Sequence, residues 1–164
     1  MRLARPGIDV ASEYRAKEAA GRGEVLGEGD LYPDVRPVLA ALRRAGHRVL
    51  IAGNQSVRAG ELLRDLNLPA DAIATSGEWG IAKPDAGFFA RVVDMAEVPP
   101  ENIVYVGDHP ANDILPAKAA GMWTVHIRRG PLGLLWGDSP SGREADWQIS
   151  SLAELAEIEH LPKK

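Results

Sequence analysis

Residues 103–113 read Ile103-Val104-Tyr105-Val106-Gly107-Asp108-His109-Pro110-Ala111-Asn112-Asp113, and this stretch decides the fold. Ile103–Val106 is a short, continuous apolar run. Strands of a parallel sheet, buried on both faces, read this way. Gly107 lets the chain turn sharply off the strand. Asp108 stands at the strand end, and Asp113 follows at the start of a helix expected from about Asn112 to Ala120, closed by Gly121.

The same unit repeats outward in both directions. Arg48–Ala52, Ala72–Thr75, Trp123–Ile127 and Asp146–Ile149 are short apolar runs expected as strands. Between them lie stripes spaced as on an amphipathic helix: Val35, Val38, Leu39 and Leu42; Ala59, Leu62, Leu63 and Leu66; Phe89, Val92, Val93 and Ala96. Pro33 and Asp34 open the first of these helices. Ser151 is expected to cap a last helix through Leu152 and Leu155. Val10–Ala20 is rich in helix formers, and Gly21–Gly29 and Gly130–Gly142 read as glycine-rich loops. Strands alternating with helices predict an α/β fold: a doubly wound parallel sheet in three layers, α/β/α. The core is expected over residues 32–160, with residues 1–31 a separate helix and loop.

Ligands of such sheets sit at the carboxyl ends of the strands. The residues there are Gly53 and Asn54, then Lys83 in Gly80-Ile81-Ala82-Lys83-Pro84-Asp85, then Asp108 and Asp113. Two carboxylates on one turn suit Mg²⁺, which takes one or two of them with waters and phosphate oxygens. Lys83 offers a point charge to a phosphate or to a carboxylate. The amides near Asn54 are expected to open a helix, a favourable place for an anion. Each residue also has a plainer reading: Asp108 as a turn residue, Asp113 and Asn54 as caps, Lys83 as a solvated loop lysine. His126, in an apolar run, reads as a hydrogen-bonded core histidine, whereas His109 lies within the acidic turn.

The chain has 164 residues with a net charge of −4 and no cysteine. Thiol catalysis, disulfides and cysteine zinc sites are excluded. No basic stripe marks a nucleic-acid partner, and no apolar run approaches the roughly 18 residues of a membrane span. Nor does Met1-Arg2-Leu3-Ala4-Arg5-Pro6 lead into a signal-peptide core. The expectation is a cytoplasmic protein with no nucleic-acid or membrane partner.

From about Tyr32 to Leu155 the chain resembles the haloacid dehalogenase-like (HAD) superfamily of hydrolases. Gly80-Ile81-Ala82-Lys83-Pro84-Asp85 resembles that family's third motif, and Val106–Ile114 its fourth, GDxxxxD. Ala117-Lys118-Ala119-Ala120-Gly121-Met122 and the late Ala145-Asp146 and Ser151–Leu155 also match. The resemblance implies a Rossmann-like core and Mg²⁺-dependent hydrolysis of a small phosphorylated molecule. Lys83 would orient nucleophile and phosphate, Asp108 and Asp113 would hold the metal, and Gly53 and Asn54 would meet phosphate. Lys83 and Asp108 are the expected catalytic residues.

The family's first motif, DxDx[TV], supplies the attacking aspartate, and no Asp-x-Asp occurs in this sequence. Ile8-Asp9-Val10-Ala11-Ser12 comes nearest, with Ala11 in place of the second acid and no strand before it. The second motif's Ser or Thr is replaced by Gly53. The resemblance therefore implies a truncated core, with residues 1–31 the remnant of a cap. Two function classes follow: a phosphohydrolase impaired for want of its nucleophile, or a non-catalytic module completed by a partner chain. A phosphoacceptor receiver domain fits less well, because Lys83 precedes Asp108. The missing first strand is expected to leave a central gap, filled by the N-terminal segment, a second copy or another protein.

Overall fold

The computed structural model describes residues 23–158, together with Ala16. Asp9 and the helix expected over Val10–Ala20 fall outside the described residues, Ala16 excepted. After a short 3₁₀ turn, α1 (Val35–Arg44) leads to β1 (Leu50–Gly53), α2 (Val57–Asp65) and β2 (Ala72–Thr75). A one-turn helix α3 (Ser76–Trp79) and α4 (Ala86–Ala96) precede β3 (Val104–Gly107). A π-type turn, Pro110–Ile114, runs into α5 (Leu115–Ala119); β4 (Trp123–Ile127), α6 (Gly130–Trp136) and β5 (Trp147–Ile149) follow, then a 3₁₀ turn, Leu152–Glu157.

All the strand pairs are parallel, as expected, with Leu50 opposite Ala72, Val104 opposite Trp123, and Val125 opposite Trp147. Among the described residues the strands form two sheets: β1 pairs only with β2, and β3, β4 and β5 form a second sheet in that order. β1 and β3 each turn inward an edge that pairs with no strand among the described residues, and a cavity of about 370 Å³ lies there, lined by residues 50–52 and 104–106.

Alternation along β3 divides the core between two faces. Tyr105 packs with Phe88, Phe89 and Val92 of α4 and Ala117 of α5. Val104 and Val106 pack instead with Val125, Ile127, Ile149 and Leu155, where Val38 and Leu42 of α1 join them. Helices thus cover both faces and make the three layers. Half-buried carboxylates tie the layers together. Asp34 accepts both oxygens' worth of hydrogen bonds from Arg129 at 2.7 and 2.8 Å and a third from the Leu152 N–H at 2.7 Å. Asp146 accepts from the Thr124 N–H and hydroxyl, both at 2.8 Å, which fixes β5 beside β4.

One local expectation is corrected. Gly130–Gly142 is not a loop throughout, because Gly130–Trp136 is helical. Pro131 lies in the first turn, where its missing N–H is no loss. Gly133 is there for space: a Cβ would fall 2.4 Å from the Ile127 carbonyl oxygen, so only glycine lets α6 sit against the end of β4. The last helix, expected after Ser151, is a 3₁₀ turn with a Ser151/Glu154 capping box.

Candidate active site

The site is assembled where the two sheets meet at their carboxyl ends. From the two-stranded sheet, Asn54 follows β1 and clamps the backbone of Lys83. Its Oδ1 accepts from the Lys83 N–H at 2.8 Å and its Nδ2 donates to the Lys83 carbonyl at 2.9 Å. The loop around it is held again by the Gly77 N–H, which donates to the Gln55 carbonyl at 2.9 Å, and by the Gln55 N–H, which donates to Ser76 Oγ at 3.1 Å. Asn54 is therefore not a helix cap. Ser56 caps α2, its hydroxyl accepting from the Ala59 N–H at 3.0 Å, so the helix opens later than the sequence led us to expect.

Lys83 crosses from this scaffold to the other sheet. Its Nζ lies 2.5 Å from Asp113 Oδ1, with the Lys83 side chain 14% and the Asp113 side chain 3% exposed. The ammonium also stands 5.9 Å from the ring centroids of both Phe88 and Tyr105, within reach of a cation–π attraction. Those rings belong to a row in which Trp79, Phe88, Phe89 and Tyr105 follow one another at 5.0, 5.5 and 5.3 Å. The lysine thus rests on a rigid apolar floor. Burial pushes the Tyr105 phenol well above its ordinary range, and the Asp113 charge adds to this, so Tyr105 stays protonated.

Asp113 is placed by its own turn. Its N–H donates to the His109 carbonyl at 2.7 Å, and its Oδ2 accepts from the His109 N–H at 3.0 Å. The Leu115 N–H donates to the Pro110 carbonyl, the wider spacing of a π turn. Gly107 makes room: a Cβ there would lie 2.4 Å from Asp113 Cβ. Asp108 is half-buried, and its carboxylate has no hydrogen-bond or ion-pair partner among the described residues. Its carbonyl accepts from His126 Nε2 at 3.2 Å.

The structure thus brings together Asn54, Lys83 and Asp113 and places Asp108 on the turn beside them; Gly53 ends β1 next to Asn54. His126 is fully buried and hydrogen-bonded as expected, though its Nδ1 has no partner. His109 contributes its backbone, and its Nδ1 accepts from the Asn112 N–H at 3.3 Å. Tyr105 was not legible as part of the site; its only signal is its inward place on the strand that ends at Asp108.

Mg²⁺ suits this donor set in part. Among the described residues no group of three or more His, Asp or Glu converges on one point. Mg²⁺ does not need one, since one or two carboxylates with waters and phosphate oxygens suffice. Asp108 offers a free carboxylate, and Asp113 retains lone pairs beyond the two it has engaged.

A sequence profile described as haloacid dehalogenase-like hydrolase matches residues 3–121. The chain belongs to the haloacid dehalogenase-like hydrolase family. The glyceraldehyde 3-phosphate phosphatase of Methanocaldococcus jannaschii is 33% identical over 130 residues, covering 77% of this chain and 55% of that one. The haloacid dehalogenase-like hydrolase domain-containing protein 3 of Xenopus laevis is 34% identical over 105 residues, 62% of this chain and 43% of that one. Among solved structures, the HAD phosphatase of Thermococcus onnurineus superposes with a TM-score of 0.69 at 30% identity, over 78% of this chain and 57% of its own. The chain spans about half the length of the curated relatives it matches. The fold is the Rossmann-like α/β/α core of this family, and its named relatives include phosphatases. Among the described residues no helix is long and apolar enough to cross a membrane.

Proposed function

We propose that this HAD core binds a small phosphate monoester at the joined carboxyl ends of its two sheets, with Mg²⁺, and hydrolyses it slowly on its own. The observation that supports this best is the Lys83–Asp113 pair beside the unpartnered Asp108, in a chain whose relatives include phosphatases of small phosphorylated molecules. The Lys83 ammonium, its backbone held by Asn54 and its charge resting on Phe88 and Tyr105, supplies positive charge to a phosphate oxygen. Asp113 holds that ammonium in place. Gly53 and Asn54 border the phosphate on the side of β1. Asp108 and Asp113 would hold Mg²⁺, which when bound offsets charge on the phosphate oxygens.

Slow turnover is proposed for residues 1–164 by themselves. They contain no Asp-x-Asp, and losing the attacking group of a catalytic unit lowers the rate on the order of 10⁴-fold or more. The test is orthophosphate binding by calorimetry with and without Mg²⁺, together with turnover of p-nitrophenyl phosphate. Mg²⁺-dependent phosphate binding, abolished in Asp108→Asn, is expected, with turnover little above background. Absence of Mg²⁺-dependent phosphate binding overturns the hydrolase reading. Turnover of about 1 s⁻¹ or faster, an ordinary enzyme rate, overturns slow turnover and makes Asp9→Asn the next variant.

A further inference from the structure

The peptide unit between Asp108 and His109 is held at both ends. Its N–H, from His109, donates to Asp113 Oδ2 at 3.0 Å, and its carbonyl, from Asp108, accepts from His126 Nε2 at 3.2 Å. It lies just past the end of β3, where the ladder to β4 stops with Gly107 opposite His126. The backbone donors that follow β4 are committed elsewhere: the Arg128 N–H to the Ile149 carbonyl at 2.7 Å and the Arg129 N–H to the Ile127 carbonyl at 2.9 Å. A side chain takes over where the ladder ends.

Histidine is a costly residue in this place. Its ring is fully buried in the run Thr124–Ile127, and its Nδ1 has no hydrogen-bond partner among the described residues. Gly142 lies against that nitrogen: a Cβ there would stand 3.1 Å from it. A carbonyl oxygen can only accept, so Nε2 carries the ring's hydrogen, and a hydrogen on Nδ1 would meet no acceptor among the described residues. Burying a polar atom without a partner is unfavourable, and an apolar side chain would fill the same space without that cost. Stability alone therefore does not call for histidine at position 126. What the ring supplies is one donor, aimed at the Asp108 carbonyl.

We infer that His126 is a positioning residue: together with Asp113 it fixes the plane of the peptide between Asp108 and His109 and so aims the free Asp108 carboxylate, a role that rests on the proposed reading of Asp108 as a Mg²⁺ ligand. Peptide units are planar, so this one plane sets a backbone torsion of Asp108 on one side and the donor that Asp113 Oδ2 accepts on the other. Without the His126 donor the plane is free to turn, and both proposed metal carboxylates lose part of their placing at once. Outer-shell partners of this kind are worth about 10–100-fold in metal affinity.

The test compares the full chain with His126→Leu, which has no donor, and His126→Gln, whose side-chain amide keeps one. Nitrogen-15 NMR of the wild type reads the imidazole tautomer: the Nε2–H form is expected, and the Nδ1–H form overturns the inference. Hydrogen exchange at the His109 amide should quicken about tenfold or more in His126→Leu, with the Arg128 amide unchanged, and stay slow in His126→Gln. Mg²⁺ affinity by calorimetry should fall about tenfold or more in His126→Leu and return to within about threefold of wild type in His126→Gln. Unchanged exchange and affinity in His126→Leu overturn the inference. Equal losses in the two variants overturn it as well, since shape rather than the donor would then be the cause. A wild type that binds no Mg²⁺ overturns the hydrolase reading instead, and the tautomer and the His109 amide still decide whether His126 holds the peptide. Should His126→Leu fail to fold, the tautomer and His126→Gln decide it: the wrong tautomer, or a His109 amide that quickens in His126→Gln, overturns the role.

Discussion

Lys83 and Asp113 are joined across the break between two sheets: the ammonium is carried by the loops of the two-stranded sheet and the carboxylate by the turn after β3. Among the described residues no backbone hydrogen bond connects β1 to β3, so this ion pair has structural as well as chemical consequences. Removing one partner of a buried pair leaves the other charge uncompensated, at a cost of about 3–5 kcal/mol. Asp113→Ala and Lys83→Met are each expected to lower the urea midpoint by a large amount. The double variant Lys83→Met/Asp113→Leu should recover much of the loss, since it leaves no orphaned charge. A double-mutant cycle by urea unfolding measures this; purely additive losses would show that the pair is not coupled.

Asp108 presents the opposite case. Its carboxylate engages nothing among the described residues, so Asp108→Asn should change stability by less than about 0.5 kcal/mol. The same variant should abolish Mg²⁺ binding, because the carboxylate is the free donor of the proposed site. Thermal unfolding with and without Mg²⁺ separates the two effects. The wild-type midpoint is expected to rise with metal and that of Asp108→Asn to stay where it was.

Gly107 is needed for space. Its φ lies outside the left-handed region, and the obstacle to a side chain is Asp113, whose Cβ would be 2.4 Å from a new methyl group. Overpacking of this kind costs about 1–3 kcal/mol. Gly107→Ala is expected to be destabilised to that extent and also to lose Mg²⁺ binding, because the turn carrying Asp113 must shift. In an Asp113→Gly background, which removes the obstructing side chain, the added methyl should cost almost nothing, so Gly107→Ala/Asp113→Gly should be as stable as Asp113→Gly alone; an equal further loss in that background would sink this steric account.

Much of this arrangement was legible in the sequence, for identifiable reasons. β2 and β4 are found at Ala72–Thr75 and Trp123–Ile127 as read, because turn residues bound their apolar runs. The placing of Lys83 and the two aspartates at one rim followed from the rule that loops after parallel strands share an end. α6 was hidden because Gly130, Pro131 and Gly133 look like helix breakers. In the fold, Pro131 sits in the first turn and Gly133 provides close approach to Ile127. The role of Asn54 was hidden for a different reason. Its partners are the backbone N–H and carbonyl of Lys83, and no residue type at position 83 signals that pairing.

Acid sensitivity should centre on Asp34 and Asp146. Burial acts to raise the pKa of Asp34, but Arg129, whose Nη1 donates to both carboxylate oxygens, and the Leu152 N–H outweigh it and hold the carboxyl below its ordinary range. Asp146 is lowered in the same way: burial is opposed by Lys118, whose Nζ lies 2.9 Å from its Oδ1, and by the two Thr124 donors. A carboxyl whose folded pKa lies below its unfolded value binds more protons when unfolded. Its stabilisation is therefore complete above the unfolded value, about 4 for Asp, and disappears as the pH falls through the lower, folded value. Unfolding free energy is expected to be flat near neutrality and to fall steeply below about pH 4. In Asp34→Asn the neutral-pH stability should drop and the acid limb become shallower, because one of the groups driving it no longer titrates. Urea unfolding at a series of pH values measures both. An acid limb equally steep in Asp34→Asn would show that the link between Asp34, Arg129 and Leu152 is not among the contacts broken by protonation.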